Sequence, residues 1–120
     1  SWISSQFRSL FPQPIVLRTG RLLLREFQTP DCEAAYAYRS DPEVLRYLVR
    51  PEPYTWEEVA LLVQEYRLQS LQNPRSSFDF CILRLGERRP IGEAGVWLDA
   101  ERPGEVWLGY MLAREAWGSG

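Results

Sequence analysis

The chain has 120 residues, of which 45% are hydrophobic and 13% aromatic, enough for one domain, or part of one, with a packed core. Its 14 basic and 16 acidic residues nearly balance to a net charge of -2, which argues against a nucleic-acid-binding surface. All 14 basic residues are arginines and histidine is absent, so the sequence offers neither a Schiff-base lysine nor a histidine general base.

The two cysteines lie far apart and form no Cys-x-x-Cys pair. Cys32 falls in a helical pattern and Cys81 in an apolar strand pattern, so we predict two buried thiols and neither zinc nor another metal. The sequence has no apolar run of about 18 residues that could span a bilayer. Residues 1–14 also lack the clean apolar core of a signal peptide, and we therefore expect a cytoplasmic protein.

Aromatic, apolar and proline residues are scattered through residues 1–20 without a sustained period. This pattern predicts an N-terminal arm over residues 1–17 rather than a regular element. A first strand is predicted for residues 21–27, where an apolar run stands between charges. The neighbouring Arg18, Arg21 and Arg25 could form an anion site, or they could be solvated charges at a strand edge.

Two short helices are predicted next, each introduced by a capping residue and a proline. Thr29 can accept a hydrogen bond from a free N–H group, and Pro30 takes the first helical position, where its missing donor costs nothing. Asp41 and Pro42 repeat this signal for a second, shorter helix. Residues 50–53, with two prolines, then end it.

The clearest helix is predicted to begin at Thr55, where Thr55 and Glu58 form a capping box. In this motif the Thr55 hydroxyl accepts the N–H of Glu58, and the Glu58 carboxylate accepts the N–H of Thr55. Four apolar side chains then fall on one face with the spacing i, i+3, i+4 and i+7. They are Val59, Leu62, Val63 and Tyr66. We expect this face to pack on a sheet and the helix to end before Pro74.

From residue 78 onward three apolar runs are separated by short turns, as in strands. They cover residues 78–85, 90–98 and 105–113, and turns this short join neighbouring antiparallel strands. Gly92, Ala94 and Gly95 leave little side-chain bulk in the middle run, which would admit a ligand or another backbone, or serve packing. A glycine-rich turn follows the last run. This order of elements is that of an α+β fold.

Four ordered segments carry a family resemblance: residues 19–25 (TGRLLLR), 40–48 (SDPEVLRYL), 90–92 (PIG) and 108–120 (LGYMLAREAWGSG). In this order and spacing they resemble the GNAT acetyltransferases, most nearly the branch named for ribosomal-protein N-terminal acetyltransferases. The resemblance covers residues 18–120. It implies the N-terminal half of a GNAT-like (acyl-CoA N-acyltransferase) α+β fold, truncated inside its pyrophosphate loop, with a strand, two short helices, a long helix and a three-stranded antiparallel meander.

The resemblance implies transfer of an acetyl group from acetyl-CoA to a primary amine, a protein N-terminus or a small amine, by direct attack. In that family the last strand pairs with pantetheine through its backbone, and the following loop holds the pyrophosphate with N–H groups. The matching positions are Met111, Leu112 and Ala113 for pantetheine, and Trp117, Gly118, Ser119 and Gly120 for the pyrophosphate. Trp117 replaces the Gln or Arg that usually opens this loop motif, whose last two positions would follow Gly120.

The catalytic residues are indicated less clearly than the cofactor positions. Many members of the family carry a glutamate base at the position of Trp107, and tryptophan cannot take a proton. Glu93 and Glu105 are the remaining carboxylates on the predicted meander, and either could act as a base through a water or be a solvated strand residue. Tyr110 could bind substrate, act as an acid or form a pocket wall, while the N–H of Leu112 could stabilise the oxyanion.

An apolar strand edge with Trp97, Trp107 and Trp117 nearby favours pairing with a second copy or with a partner chain. We expect neither a nucleic acid nor a membrane as partner. We also expect the 120-residue piece not to be a self-sufficient enzyme. The alternative to catalysis is a GNAT-like module that binds CoA or a protein partner without turnover.

Overall fold

A five-stranded antiparallel sheet forms the centre of the computed structural model, which describes residues 15–46, 48, 50 and 52–118. The strands follow one another across the sheet in chain order. They are β1 Val16–Arg18, β2 Leu22–Glu26, β3 Ser77–Arg84, β4 Gly92–Leu98 and β5 Val106–Leu112. The strand predicted at residues 21–27 and the predicted antiparallel meander are both confirmed.

β1 lies where the sequence pattern predicts an irregular arm, and that prediction is wrong for these residues. Val16–Arg18 pairs antiparallel with β2. The Thr19 hydroxyl accepts the N–H groups of Arg21 and Leu22 at 3.3 and 3.0 Å and fixes the hairpin between the strands. A strand of three exposed residues is too short to show a period, so its pattern is not visible in the sequence. Residues 1–14 of the predicted arm lie outside the described residues.

Three α-helices pack on one side of the sheet: α1 Cys32–Arg39, α2 Pro42–Leu45 and α3 Trp56–Gln69. The two short helices and the long helix are thus confirmed. α2 begins as predicted, since the Asp41 carboxylate accepts the N–H of Glu43 at 3.0 Å and Pro42 stands in the first turn. In the described part of the chain no helix is long and apolar enough to cross a membrane.

The start of α1 differs from the prediction, because Thr29 does not cap it. A 3₁₀ turn, Thr29–Asp31, precedes α1, and the Asp31 carboxylate accepts the N–H of Gln28 at 2.7 Å. Arg25 donates two further hydrogen bonds of 2.8 and 2.9 Å to this carboxylate. Burial raises the pKa of Asp31, but these bonds outweigh it and lower the pKa below its usual value. The Thr29 hydroxyl instead accepts a hydrogen bond from Arg67 of α3 at 2.9 Å.

α3 carries the predicted capping box and the predicted apolar face. Thr55 Oγ1 accepts the N–H of Glu58 at 3.2 Å, and the Glu58 carboxylate accepts the N–H of Thr55 at 3.1 Å. Val59 and Val63 are buried and pack in one core with Cys81 of β3. The packing of this face on the sheet is therefore confirmed.

The replacement Thr55→Ala is expected to lower the free energy of unfolding by about 1 kcal/mol, because the first turn of α3 loses a hydroxyl cap. Urea denaturation followed by circular dichroism measures this loss. Thr55→Ser keeps the hydroxyl and is the matched control, expected to remain within a few tenths of a kcal/mol of the parent chain. An equal loss in both variants would show that the cap is not the cause.

The sheet has a covered face, under the three helices, and an open face on the other side. On the covered face the core joins Tyr38 of α1 and Val59 of α3 to β3. Cys32 and Cys81 both lie in this core as free thiols, as predicted, and burial raises the pKa of Cys81. The open face carries a smaller buried cluster. Its members are Ile82, Ile91 and Ala116, with Leu22, Leu24, Ala94 and Leu112 packed against it.

Candidate functional site

β5 is the last strand of the described sheet, and its pairing with β4 determines which backbone groups point outward. The Asp99 N–H bonds the Glu105 carbonyl at 3.3 Å, and the Ala113 N–H bonds the Ile91 carbonyl at 2.7 Å. Positions 105 and 113 therefore face β4, and so do the odd-numbered positions between them, because antiparallel pairing alternates. The even-numbered positions of β5 face the outer edge. The N–H of Leu112 thus points outward from this edge, where the family resemblance predicts that pantetheine binds.

The chain bends after β5 through a second 3₁₀ turn, Arg114–Ala116. The Trp117 indole N–H bonds back to the Leu112 carbonyl at 3.1 Å and closes the bend. Gly118 follows with φ of +77°, a left-handed conformation that favours glycine. The bend therefore brings together Met111, Leu112, Ala113, Trp117 and Gly118 of the predicted cofactor residues. Ser119 and Gly120 lie outside the described residues.

An ion pair that the sequence did not reveal ties this bend to α2. Arg114 donates from Nε to Asp41 Oδ2 at 3.1 Å and from Nη2 to Asp41 Oδ1 at 2.5 Å. The hydrogen bonds from Arg114 lower the pKa of Asp41 below its usual value. Asp41 thus both caps α2 and fixes the chain after β5. The two residues are 73 positions apart, and no local sequence pattern indicates such a contact.

Glu93, one of the predicted catalytic carboxylates, is buried on the covered face, with 7% of its surface exposed. Its Oε1 accepts hydrogen bonds from Tyr38 Oη at 2.7 Å and from Arg39 Nε at 2.9 Å. Its Oε2 accepts hydrogen bonds from Arg39 Nη2 at 2.6 Å and from Tyr66 Oη at 2.9 Å. Four donors, two of them charged, therefore hold this carboxylate in one position.

The ion pair fixes the charge states around Glu93. Burial lowers the pKa of Arg39, but its hydrogen bonds and charge interaction with Glu93 outweigh burial and raise the pKa above its usual value. Burial, together with the charge of Glu93, raises the pKa of Tyr38 and of Tyr66. Both phenols therefore stay protonated and donate to the carboxylate. This geometry favours a positioning role for Glu93.

The other two predicted catalytic residues lie elsewhere on the sheet. Adjacent strand residues point to opposite faces, and Met111 packs against the covered core, so the Tyr110 side chain lies on the open face, with 76% exposure. Glu105 is exposed just before β5 begins. Trp107, at the position of the family's common base, donates its indole N–H to Asp99 Oδ2 at 3.3 Å.

A second buried carboxylate, which the sequence analysis missed, belongs to Asp79 of β3. Only 3% of Asp79 is exposed, and its Oδ2 accepts a hydrogen bond from the Ser77 hydroxyl at 2.6 Å. Burial raises the pKa of Asp79. Asp79 is two positions before Cys81, which lies in the covered core, so both point to the covered face. An acidic residue at an inward strand position was the signal that could have found it.

Two glycines lie beside Asp79 across the sheet, one on β4 and one on β5. Asp79 pairs with Gly95 on β4, and Gly95 pairs with Gly109 on β5. The Trp97 ring lies over both glycines, since an added Cβ would be 2.8 Å from it at Gly95 and 3.0 Å at Gly109. Part of the space that the small residues of β4 were predicted to leave is therefore filled by a side chain of the same protein.

Two cavities of about 550 and 160 Å³ share walls on the covered face. The residues bordering both are Arg39, Tyr66, Asp79 and Trp97. The larger cavity extends along α3, and the smaller one reaches β5 at Gly109, Tyr110 and Met111. Glu93 also borders the smaller cavity. Tyr110 borders this cavity only at its backbone, because its side chain lies on the open face, and Glu105 borders neither cavity. The fold therefore does not bring the three predicted catalytic side chains together.

Comparison with known proteins adds a family match over most of the chain. The model of the family described as "Acetyltransferase (GNAT) domain" matches residues 21–120. A curated relative, the uncharacterized N-acetyltransferase p20 of Bacillus licheniformis, is 31% identical over 105 residues. That match covers 87% of this chain and 57% of the relative, so the chain spans less than two thirds of that relative's length.

Solved structures with the same arrangement of elements have lower sequence identity and indicate the fold alone. The apo structure of RimL, a ribosomal L7/L12 alpha-N-protein acetyltransferase, matches with a TM-score of 0.67 and 16% identity, covering 90% of this chain and 58% of that one. The Microcin C7 self immunity acetyltransferase MccE, solved with acetyl-CoA and AMP, matches with a TM-score of 0.67 and 11% identity. It covers 85% of this chain and 56% of that one.

Proposed function

Since this chain belongs to the GNAT acetyltransferase family, we propose that it forms the N-terminal half of a domain, residues 18–120, that transfers an acetyl group from acetyl-CoA to a primary amine. The observation that carries the proposal is the outer edge of β5, which runs directly into the bend at Gly118. There the N–H of Leu112 points away from β4, and an extended amide chain such as pantetheine pairs with a strand edge in this way.

The bend after β5 is the proposed site of the CoA pyrophosphate. Gly118 has no side chain and a left-handed backbone, so main-chain N–H groups there can approach an anion closely. The Trp117 indole stabilises the bend through its hydrogen bond to the Leu112 carbonyl. The proposed contacts are Met111, Leu112 and Ala113 for pantetheine, and Trp117, Gly118, Ser119 and Gly120 for the pyrophosphate.

In the proposed reaction the amine nitrogen attacks the thioester carbonyl, the C–S bond breaks, and CoA leaves as the thiol. The Leu112 N–H would stabilise the oxyanion formed on the way, since donors aimed at developing charge lower the barrier. Tyr110 and Glu105 remain candidates for moving the proton that the amine loses, through water. Glu93 would instead hold Arg39 and Tyr66, which border the cavities, and Tyr38 in the core.

A second candidate function, a CoA-binding or protein-interaction module without catalysis, is favoured by a specific observation. Trp107 offers no base at the position where the family often has glutamate, and the Glu93 carboxylate is already held by four donors. In that case CoA would bind along β5 without turnover. A partner chain could then cover the exposed tryptophans.

Two measurements test the proposal. Calorimetry with acetyl-CoA is expected to show saturable binding to the chain, and a thiol-release assay on the full-length domain is expected to show CoA formation that depends on an added amine. Binding without amine-dependent thiol release would favour the non-catalytic module. If acetyl-CoA did not bind at all, the transferase and the CoA-binding module would both be wrong, and the protein-interaction module alone would remain.

The replacement Gly118→Val is expected to weaken acetyl-CoA binding at least about tenfold, equivalent to about 1.4 kcal/mol. A β-branched residue disfavours the left-handed backbone of the bend and would turn its N–H groups away from the pyrophosphate. Gly104→Val is the matched control, because Gly104 also has a positive φ, of +89°, but lies in the turn before β5. Calorimetry on both variants gives the comparison, and equal affinities would contradict the assignment of the bend.

A further inference from the structure

Arg114 is the last basic residue of the sequence and lies four positions before Gly118, yet its guanidinium is paired with Asp41, the N-cap of α2. Its Nε and Nη2 donate to different oxygens of the carboxylate, so the pair is bidentate. Glu43 and Glu115 add negative charge around Arg114. A phosphate site that worked by charge alone would leave this arginine free for the ligand, so its pairing indicates a different role.

Asp41 is a firm anchor for Arg114. Its side chain is only 19% exposed, and its Oδ1 accepts the N–H of Glu43 in the first turn of α2. Two positions earlier in the chain, the buried guanidinium of Arg39 is paired with Glu93 of β4 at 2.6 Å. The junction between α1 and α2 is therefore tied to the sheet, and a side chain bonded to Asp41 is tied to it as well.

The bend after β5 is held from both faces of the sheet. Ala116 packs in the buried cluster of the open face, and the Trp117 main-chain N–H bonds to the Arg114 carbonyl at 3.1 Å within the bend itself. The Arg114 side chain reaches α2, which packs over the covered face. Gly118 follows, and a glycine can adopt many conformations other than its φ of +77°. The ion pair therefore limits the freedom of the segment that leads into Gly118.

We infer that Arg114 and Asp41 are positioning residues for acetyl-CoA, whose ion pair holds the bend in the conformation that binds the pyrophosphate. This inference rests on the proposed acetyltransferase function. A bend that is already held in its bound conformation loses less conformational freedom on binding, so the pair raises the affinity without touching the ligand. The carboxylate of Asp41 thus favours the binding of an anion, whereas its charge alone would oppose it.

Asp41→Asn separates the two possible roles of Arg114 by the sign of its effect. Asparagine caps a helix as well as aspartate does, so this replacement keeps α2 but removes the charge that holds Arg114. Calorimetry with acetyl-CoA is expected to show about fivefold weaker binding to this variant than to the wild-type chain, the lower end of usual coupling between linked groups. Unchanged or tighter binding would overturn the inference, because a released Arg114 would then serve the phosphates directly.

Glu43→Gln is the matched control for the loss of a negative charge. Glu43 also acts on Arg114 through its charge, but its own ion pair is with Arg46, at 3.8 Å. Acetyl-CoA affinity should stay within about twofold of the wild-type value, since an exposed pair of this length contributes little.

A double-mutant cycle tests whether Arg114 and Asp41 act as one unit. Arg114→Ala is expected to weaken acetyl-CoA binding about as much as Asp41→Asn, and the double variant no further, because either single change already breaks the pair. Losses that add in the double variant would show two independent effects and would overturn the inference.

Amide hydrogen exchange on the ligand-free chain gives a readout that does not depend on acetyl-CoA. The Trp117 N–H is expected to exchange at least about fivefold faster in Asp41→Asn than in the wild-type chain or in Glu43→Gln, because the bend opens more often. Unchanged exchange would overturn the inference even if acetyl-CoA binds and is turned over. Faster exchange in a chain that does not bind acetyl-CoA would leave the pair as a structural contact and overturn both its cofactor role and the transferase proposal.

Discussion

Glu93→Ala is expected to lower the free energy of unfolding by about 3–5 kcal/mol, because it leaves the Arg39 guanidinium buried without its partner. Arg39 is only 7% exposed, and it donates to both oxygens of Glu93. Tyr38 loses its hydrogen bond to Glu93 Oε1 in the same step, and Tyr66 loses its hydrogen bond to Oε2. Urea denaturation followed by tryptophan fluorescence measures the loss.

Two further variants show whether the buried pair is the cause. The double replacement Arg39→Met with Glu93→Leu removes both charges and is expected to be clearly less destabilising than the sum of the two single changes. Arg102→Ala breaks an exposed pair with Glu105, of 3.7 Å, and is expected to change stability by less than about 1 kcal/mol. A Glu93→Ala loss no larger than that of Arg102→Ala would contradict this account.

Gly92→Ala is expected to lower the free energy of unfolding by about 2–3 kcal/mol and to weaken acetyl-CoA binding. A Cβ at this position would overlap the Met111 carbonyl oxygen and would lie 2.9 Å from Leu112 Cδ2. The obstacle is backbone, so β5 has to move away from β4 just where its edge is proposed to bind pantetheine. Denaturation and calorimetry on the same sample measure both effects.

Gly20→Ala is the matched control for Gly92→Ala, because an added Cβ at Gly20 meets no atom within 4 Å and its φ is not left-handed. It should leave both stability and acetyl-CoA affinity close to those of the parent chain. A stable Gly92→Ala chain with unchanged affinity would show that β5 tolerates the displacement and would weaken the proposed strand contact.

Local signals in the sequence predicted most of the fold. Asp41 with Pro42, and Thr55 with Glu58, mark helix starts through contacts within three residues, and the structure contains both. Three apolar runs with short turns between them predicted the meander. β1 was not predicted because three exposed residues form no period. The predicted Thr29 cap was wrong because a 3₁₀ turn precedes α1 and the Thr29 hydroxyl accepts a hydrogen bond from Arg67, a contact between distant residues.

The site was less predictable, because its side chains meet only through the tertiary fold. The cofactor positions on β5 came from the family resemblance, and they depend on backbone more than on side-chain identity. Glu93 and Arg39 are 54 positions apart, and nothing in either local pattern indicates that they pair. Because the sequence does not show this pairing, Glu93 was predicted to be a carboxylate without a partner. Asp79 was overlooked for the related reason that its burial depends on α3.

The Trp97 ring makes three positions of the sheet dependent on one another in evolution. It lies over Gly95 and Gly109, so alanine at either glycine would crowd the same indole. A side chain at position 109 therefore needs position 97 to become smaller, and one at position 95 needs Asp79 to shift as well, because an added Cβ there would also lie 2.8 Å from Asp79 Oδ1. A smaller residue at position 97 would uncover the backbone of both glycines. We expect these three positions to vary together in related sequences.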